Sequence, residues 1–298
     1  MTYSIVARDP ATGELGVAVQ SHWFSVGSSV PWAEPGVGAV ATQSIADPSY
    51  GPNALDLLRA GTAAGDALET LVKRDKQAAV RQVLIVDSHG RPAVHTGRRC
   101  VPFAGHVSGR GFACAANMMA VEGVPQAMAH AYATAIGEMS DRLLAALDAA
   151  EEAGGDVRGR QSAAMIVVRS RGEQWHRSLD LRVEDSAFPL VELRRLARLR
   201  QAYDLGERAD ELTGEGRTRE AALLYRRASE VAPENDELRF WGGLALVQLG
   251  ERAAGLEAVR SAIAENAGLA ELLTRLSPEI APSAPAVREA LGHDGARR

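Results

Sequence analysis

The chain has 298 residues, of which 46% are hydrophobic and 24% charged, and its formal net charge is −5. This composition is ordinary for a globular protein of one sizeable and one smaller domain, and the acidic balance gives no reason to expect a nucleic-acid partner. No apolar run approaches the roughly 18–20 residues of a membrane span, and two cysteines, Cys100 and Cys114, fit a reduced chain, so we expect a cytoplasmic protein without a membrane partner.

The first 21 residues predict a β-hairpin. Two β-branched, largely apolar runs, 2–9 and 14–21, flank a short Asp-Pro…Thr-Gly connection. Both runs are apolar almost throughout, so the hairpin is expected in a sheet that is covered on both faces. Because the strand pattern begins at once, no signal peptide is expected. Thr2 follows Met1, and removal of Met1 would leave a free amine and a hydroxyl on one residue.

The next elements follow in chain order. A Gly- and Ser-bearing connection with three aromatic residues, 22–32, is predicted to be a loop that lines a pocket. Strands are then expected at 36–43, 82–86, 92–96, 111–119, 162–170 and 179–183. Helices are expected near 53–60, 63–74, 124–136 and 140–153.

Strand groups alternate with helix pairs in this order, so the sheets must be covered by helices rather than left open. An α+β fold of two stacked antiparallel sheets with a helix layer on each outer face, a four-layer αββα sandwich, satisfies the order. A single mixed sheet with helices on one side is the alternative.

Past Leu190 the chain changes to helical patterns rich in Ala, Leu, Glu and Arg, in which compatible residues recur 34 positions apart. The pairs are Ala209 and Gly243, Leu212 and Leu246, Gly216 and Gly250, and Ala228 and Ala262. This period is that of tetratricopeptide repeats, and two repeats are fewer than independent stability needs. The segment is therefore expected to pack on the first domain, on a partner in a homo-oligomer, or on its own terminal helix near 269–276. We expect domains at 1–195 and 196–280 and a loosely ordered tail at 281–298.

Several stretches together carry a resemblance to one family. They are 2–9, Gly-Ala-Val-Ala-Thr-Gln at 38–43, Pro-Ser-Tyr-Gly-Pro at 48–52, Gly-His at 105–106 and Gly-Arg-Gln-Ser-Ala-Ala at 159–164. Residues 1–200 are thereby similar to the domain of unknown function 1028 family, which is grouped with the N-terminal nucleophile hydrolases. The resemblance implies the same αββα sandwich and a candidate amide-bond hydrolase for a small amide or peptide-like substrate. The helical repeats lie outside it.

The resemblance makes Thr2 the candidate catalytic nucleophile. Its hydroxyl would attack a carbonyl, and its freed α-amine would be the general base, because such an amine titrates at about pH 7.7–8.0. Ser4, on the same strand face, is expected to orient the amine or to be a buried hydroxyl bonded to backbone. Asn117, alone among small and apolar residues, is expected to serve the oxyanion or to tie two strands together.

The resemblance also implies substrate-binding residues at two strand ends. The second hairpin strand ends at His22, which would bind a substrate carboxylate, tune the amine or be only a pocket-edge ring. The strand-to-helix transition at Gln43 and Ser44 is where such folds place an oxyanion hole of backbone amides, and this pocket wall continues to Tyr50.

In that superfamily, the turn before the strand at 162–170 reaches the N-terminal residue. In this turn, Asp156 is either catalytic or a plain turn residue, and Arg160 is the candidate clamp for a substrate carboxylate, with Gln161 beside it. His106 is expected in a loop near the pocket mouth.

No spacing of His, Cys, Asp and Glu predicts a metal site, and no Gly-rich loop predicts a phosphate site, so no metal or cofactor is expected. The well-studied threonine hydrolases pair their nucleophile with a lysine, whereas the two lysines of this chain, Lys73 and Lys76, lie together on one presumptive helix. Two functions remain open. One is an N-terminal threonine amidohydrolase, and the other is a non-catalytic ligand-binding αββα module whose helical repeats dock a protein partner.

Overall fold

The computed structural model of the chain describes residues 2–292. The predicted removal of Met1 and the end of the predicted tail, 293–298, lie outside these residues. The chain divides into two compact units, Met1–Arg195 and Leu196–Arg298.

Within residues 2–292 the chain forms ten strands and ten α-helices. The strands are β1 (Thr2–Arg8), β2 (Leu15–Ser21), β3 (Pro31–Glu34), β4 (Gly38–Ser44), β5 (Arg81–Asp87), β6 (Pro92–Thr96), β7 (Gly105–Gly109), β8 (Phe112–Asn117), β9 (Ser162–Val168) and β10 (Leu179–Val183). The helices are α1 (Tyr50–Arg59), α2 (Ala64–Arg74), α3 (Val124–Thr134), α4 (Met139–Glu152), α5 (Pro189–Gly214), α6 (Thr218–Val231), α7 (Asp236–Gln248), α8 (Arg252–Glu265), α9 (Gly268–Arg275) and α10 (Ala284–Leu291). None of these helices is long and apolar enough to span a membrane.

The strands of the first unit make two antiparallel sheets. One has six strands in the order β10-β9-β2-β1-β8-β7, and the other has four in the order β3-β4-β5-β6. The alternative of a single mixed sheet is therefore wrong, and the predicted hairpins β1–β2 and β5–β6 are confirmed. Thr2 pairs with Ser21 on β2 and with Asn117 on β8, which brings three chain segments together at one end of the larger sheet.

Apolar residues of both sheets share one buried cluster, which includes Val6, Val17 and Leu84. The four-stranded sheet also packs on α1 and α2 through a second cluster, which includes Leu55 and Ile85. Helices α3 and α4 pack on the six-stranded sheet. Because the central strands are covered on both faces, their sequences are apolar throughout instead of alternating.

The sequence does not predict β3 or β7, and both are edge strands. β3 begins at Pro31, inside the stretch expected to be a loop, and β7 reads Gly-His-Val-Ser-Gly. An edge strand has one unpaired side, so Pro, Gly and polar residues are tolerated there and weaken the strand pattern. His106, expected in a loop, therefore lies on β7 with an exposed side chain.

The helices of the second unit follow the 34-residue spacing read from the sequence. α6 and α8 begin at 218 and 252 and end at 231 and 265, which are 34 residues apart in both cases. Gly216 and Gly250 precede them with φ of 77° and 93°, values that favour glycine. α7 and α8 cross closely, because a Cβ placed on Gly243 would lie 2.9 Å from the Gly255 carbonyl oxygen.

Residues 284–291 of the tail that the sequence predicts to be loosely ordered form helix α10. Ala284 and Val287 of α10 are buried in a cluster with residues of α7, α8 and α9, so the terminal helices of the same unit cover the repeats. The prolines that suggested disorder do not prevent the helix, because Pro285 lies in its first turn, where its missing N–H is not needed.

Candidate functional site

A cavity of about 360 Å³ lies where β1 begins. Thr2, Ser21, Gln43 and Ser44 line it from strand ends. The other lining residues come from the connections after β2 and after β4: Trp23, Val26, Ser29, Val30, Ile45, Ala46 and Pro48. These are the predicted loop and the predicted strand-to-helix transition, whereas none of the residues 156–161 lines the cavity.

Strand register fixes how Thr2 faces this cavity. Its side chain lies on the same face of β1 as Ser4 and Val6, which is the face toward the four-stranded sheet. The Thr2 hydroxyl oxygen lies 3.0 Å from the Ser21 hydroxyl oxygen. The Arg8 N–H donates to the Gly111 carbonyl at the other end of β1. Every second residue of a strand points its main-chain N–H and C=O groups at the same neighbouring strand. The nitrogen of Thr2, six residues before Arg8, is therefore directed at the carbonyl of its β8 partner Asn117.

A ladder of buried side-chain amides holds the Thr2 carbonyl. Asn117 Nδ2 and Gln43 Nε2 both donate to it, at 3.2 and 3.3 Å. The same two groups donate to Gln82 Oε1, at 3.0 and 2.7 Å, and Ser4 donates to Gln43 Oε1 at 2.6 Å. All four side chains are fully buried or nearly so, so these bonds join the two sheets beneath the cavity.

Ser44 ends β4 in a left-handed conformation, with φ of 71°. The Thr42 N–H donates to the Val30 carbonyl. Ser44 lies two residues further along the same strand, so its N–H is also directed toward the side on which β3 lies. β3 starts only at Pro31 and does not extend to a position opposite Ser44, and the cavity lies at that position. A non-glycine residue with positive φ at a cavity wall stores backbone strain of a kind that clusters at functional sites.

Asp156 supports the cavity from behind. Its carboxylate accepts hydrogen bonds from the His22 and Arg158 main-chain N–H groups, at 3.1 and 2.8 Å. The Gln161 N–H donates to the Ser21 carbonyl, and His22 Nδ1 lies 3.2 Å from the Arg160 carbonyl oxygen. Asp156, His22 and Gln161 thus hold the end of β2, one residue away from the cavity.

Three predicted site residues point elsewhere. The Arg160 guanidinium pairs with Glu151, which also accepts a hydrogen bond from the Tyr3 hydroxyl, so Arg160 is not available as a clamp in the cavity. The side-chain amide of Gln161 donates to Asp185. His106, on the edge strand β7 of the larger sheet, contacts Thr96.

Tyr50 lines a different cavity of about 490 Å³, together with Asp47, Asp75 and Lys76. Its hydroxyl donates to Asp75, and burial together with that carboxylate raises the pKa of Tyr50. Burial of Asp75 opposes its ionisation, but hydrogen bonds from Arg81 and the Gln77 N–H outweigh it and lower the pKa of Asp75. Arg81 also donates to the Ile45 carbonyl at 2.6 Å, so this charge network fixes the cavity wall without entering the cavity.

The sequence reasoning missed Ser21 and Gln82, whereas Trp23 lies in the connection that is predicted to line a pocket. Ser21 could have been predicted from the sequence, because the hairpin register places its hydroxyl directly opposite Thr2. Gln82 resembles Asn117 in being a polar residue at the end of an apolar strand, and the same hydrogen-bonding argument applies to it. Within residues 2–292 no group of three or more His, Cys, Asp or Glu side chains could hold a metal ion.

The fold and the site define an α+β protein in which a threonine at the start of a central strand faces an uncharged cavity. The chain belongs to the family of unknown function DUF1028, whose model matches residues 2–193. A similar solved structure is protein SPO2555 of Silicibacter pomeroyi, of that same family, with 31% identity and a TM-score of 0.61 over 66% of this chain and 88% of that one. Anbu (ancestral beta-subunit) from Yersinia bercovieri matches with 10% identity and a TM-score of 0.34 over 65% of this chain and 91% of that one. None of the curated proteins compared with the chain is significantly similar to it.

Proposed function

We propose that this protein is an amide-bond hydrolase whose nucleophile is the hydroxyl of Thr2, freed as the first residue by removal of Met1. In this proposal the first unit is a four-layer αββα sandwich of the N-terminal nucleophile hydrolase type. The observation that carries it is the placement of Thr2, whose hydroxyl faces a cavity while its carbonyl is held by two buried amides. A residue that served only as a strand start would need no cavity beside its hydroxyl.

The chemistry needs no group beyond the chain and a water molecule. Thr2 Oγ1 bonds to the substrate carbonyl carbon while its proton passes to the Thr2 amine, and the carbonyl oxygen becomes an oxyanion. Collapse breaks the C–N bond, the amine returns the proton to the leaving nitrogen, and an ester of Thr2 remains. Water, deprotonated by the same amine, attacks that ester; the amine then returns the proton to Thr2 Oγ1 as the C–O bond breaks, which releases the carboxylic acid and restores the threonine.

Neighbouring groups have supporting roles in this proposal. The Ser44 N–H, directed to the cavity side, stabilises the oxyanion, since donors fixed in advance cost no reorganisation. The Asn117 carbonyl holds the amine in place, and Ser4 and Gln43 fix the strand that carries it. Lys73 pairs with Glu69 on α2, away from the cavity, so the amine acts as base without a lysine.

The second unit has a separate role in the proposal. Its two 34-residue helical pairs are tetratricopeptide-like repeats that dock a protein partner or a second copy in a homo-oligomer. The protein acts in the cytoplasm on a small amide or peptide-like compound.

The test compares two forms of the purified chain, separated by intact mass into those with and without Met1. A screen of small amides, read by release of the amine, should give turnover only with the form that begins at Thr2. Thr2→Ala should abolish turnover and Thr2→Ser should retain part of it, with circular dichroism unchanged in both. Equal turnover by a chain with a permanent N-terminal extension would rule out Thr2 as an N-terminal nucleophile.

One observation favours a second function, a non-catalytic ligand-binding module. No ionisable side chain is among the described residues that line the cavity, so binding by shape and hydroxyl groups is chemically sufficient. This alternative predicts a ligand that binds equally well to both forms of the chain and is recovered unchanged. The same screen, read by binding as well as by product, separates the two functions.

A further inference from the structure

No ionisable side chain is among the described residues that line the cavity beside Thr2, and the ionisable groups Asp47, Arg81 and Asp156 nearby are bound to other partners. Asp47 lies between two lining residues, yet its carboxylate accepts the Ser49 N–H and faces Arg81 at 3.8 Å in the neighbouring cavity. Arg81 itself is bound by Asp75 and by main-chain oxygens of the wall. Asp156 is bound by the His22 and Arg158 main-chain N–H groups and pairs with the Arg158 side chain.

What remains in the lining is apolar or neutral. Val26 and Val30 are buried, and the polar side chains are the hydroxyls of Thr2, Ser21, Ser29 and Ser44 and the amide of Gln43, which its own ladder occupies. Trp23 and Ile45 also line the cavity, although 64% and 52% of their surfaces are exposed. Large apolar side chains at the edge of a cavity present an apolar surface to whatever enters it.

A charged group that entered this cavity would lose its hydration, and no side chain of opposite charge is among the described residues that line the cavity. Burial of a charge without such a partner costs far more than burial of a neutral amide, and an apolar chain gains free energy when it leaves water. A carboxylate would also act on the proposed base, because an opposite charge within a few ångströms stabilises the protonated form of an amine. A protonated Thr2 amine cannot accept the proton of the attacking hydroxyl.

We propose that the cavity takes the neutral, largely apolar acyl part of an amide and discriminates against acyl groups that carry a charge. This substrate class rests on the function proposed above. It replaces the expectation that a substrate carboxylate is bound by Arg160, whose guanidinium is paired with Glu151 outside the cavity.

The test uses three probes of one shape and different charge: 3-phenylpropionamide, 3-phenylpropionate and 3-phenylpropylamine. Binding is measured calorimetrically to Thr2→Ala that lacks Met1, since this variant keeps a free amine but has no hydroxyl for turnover. The neutral amide should bind at least about tenfold more tightly than either charged probe. Equal or tighter binding of the carboxylate overturns the proposal, and so does the absence of binding by all three probes at millimolar concentration.

A charge at the cavity edge gives a second readout. Ile45→Lys should bring the affinity of the carboxylate closer to that of the amide by at least about fivefold, because a cation then faces the cavity. Ile136→Lys is the matched control, since Ile136 is 95% exposed and does not line the cavity, and it should leave the ratio unchanged. The same shift in both variants would show that general charge, not this cavity, determines the preference, which overturns the proposal.

The two proposals fail in different ways. If processed wild-type protein releases no amine from any amide while the neutral probe still binds best, the hydrolase function is wrong and the preference of the cavity stands. If turnover depends on Thr2 but the carboxylate binds best, the hydrolase function stands and the substrate class is wrong.

Discussion

The hydroxyl oxygens of Thr2 and Ser21 lie 3.0 Å apart, on paired residues at the ends of β1 and β2. The contact follows directly from the register of the first hairpin, which places each residue of one strand opposite one of the other. It fixes the direction of the Thr2 hydroxyl, and in the proposed chemistry that hydroxyl must point at a substrate carbonyl.

Ser21→Ala should therefore lower turnover by about 10- to 100-fold without abolishing it, because the Thr2 hydroxyl loses a fixed orientation but not its reactivity. Steady-state kinetics should show the loss mainly in kcat. Ser108→Ala, on the exposed face of β7, is the control and should match wild type. A Ser21→Ala enzyme as fast as wild type would show that the hydroxyl contact does not orient the nucleophile.

The amide ladder predicts a stability effect. Gln82→Leu removes one acceptor of Gln43 and Asn117 and the donor to the Gly105 and Ala116 carbonyls, and a buried polar group left without a partner costs about 1–3 kcal/mol. Amide hydrogen exchange in β5 and β8 should quicken accordingly, which is a suitable measure because a chain of two units need not unfold in one transition. Gln201→Leu, at an exposed position of α5, should change nothing in these strands. Unchanged exchange in Gln82→Leu would mean that water replaces the lost acceptor.

Asp75 predicts a pH dependence. Its pKa is lowered in the folded chain, so its contribution to stability is fully present above the unfolded value of about 3.9 and is lost as the pH falls through the folded value. Asp75→Asn should destabilise the first unit at pH 7 and flatten the loss of stability below about pH 4, as followed by urea denaturation at several pH values. Asp66→Asn, at the exposed start of α2, serves as the control. Parallel pH profiles for wild type and Asp75→Asn would contradict the prediction.

The close crossing of α7 and α8 predicts the cost of a larger side chain. A Cβ on Gly243 would meet Val259 Cγ2 at 2.8 Å as well as the Gly255 carbonyl, so Gly243→Leu should destabilise the second unit by about 1–3 kcal/mol through overpacking. Hydrogen exchange in α7 and α8 should quicken, while β1 and β2 remain unchanged. Gly214→Leu places the same side chain where nothing lies within 4 Å and should have little effect. Equal exchange in both variants would show that these helices do not cross tightly.

The sequence by itself determined the local elements of this protein. The apolar runs of β1 and β2 and the 34-residue spacing between α6 and α8 are properties of neighbouring or regularly spaced residues, and such properties decide which face of an element is buried. The edge strands β3 and β7 could not be predicted from local patterns, because a strand with an unpaired side has no strong apolar pattern.

Only the tertiary structure decided which side chains surround Thr2. Thr2, Gln43 and Asn117 meet because β1 pairs with β8 and the two sheets pack face to face, and neither fact is contained in a local pattern. Arg160 shows that sequence proximity alone does not place a side chain in the site. It is adjacent to Gln161, whose N–H donates to the Ser21 carbonyl on the strand beside Thr2. The Arg160 guanidinium nevertheless pairs with Glu151, outside the cavity. Adjacent residues of an extended chain point in opposite directions, and long-range pairing decides which direction leads to the site.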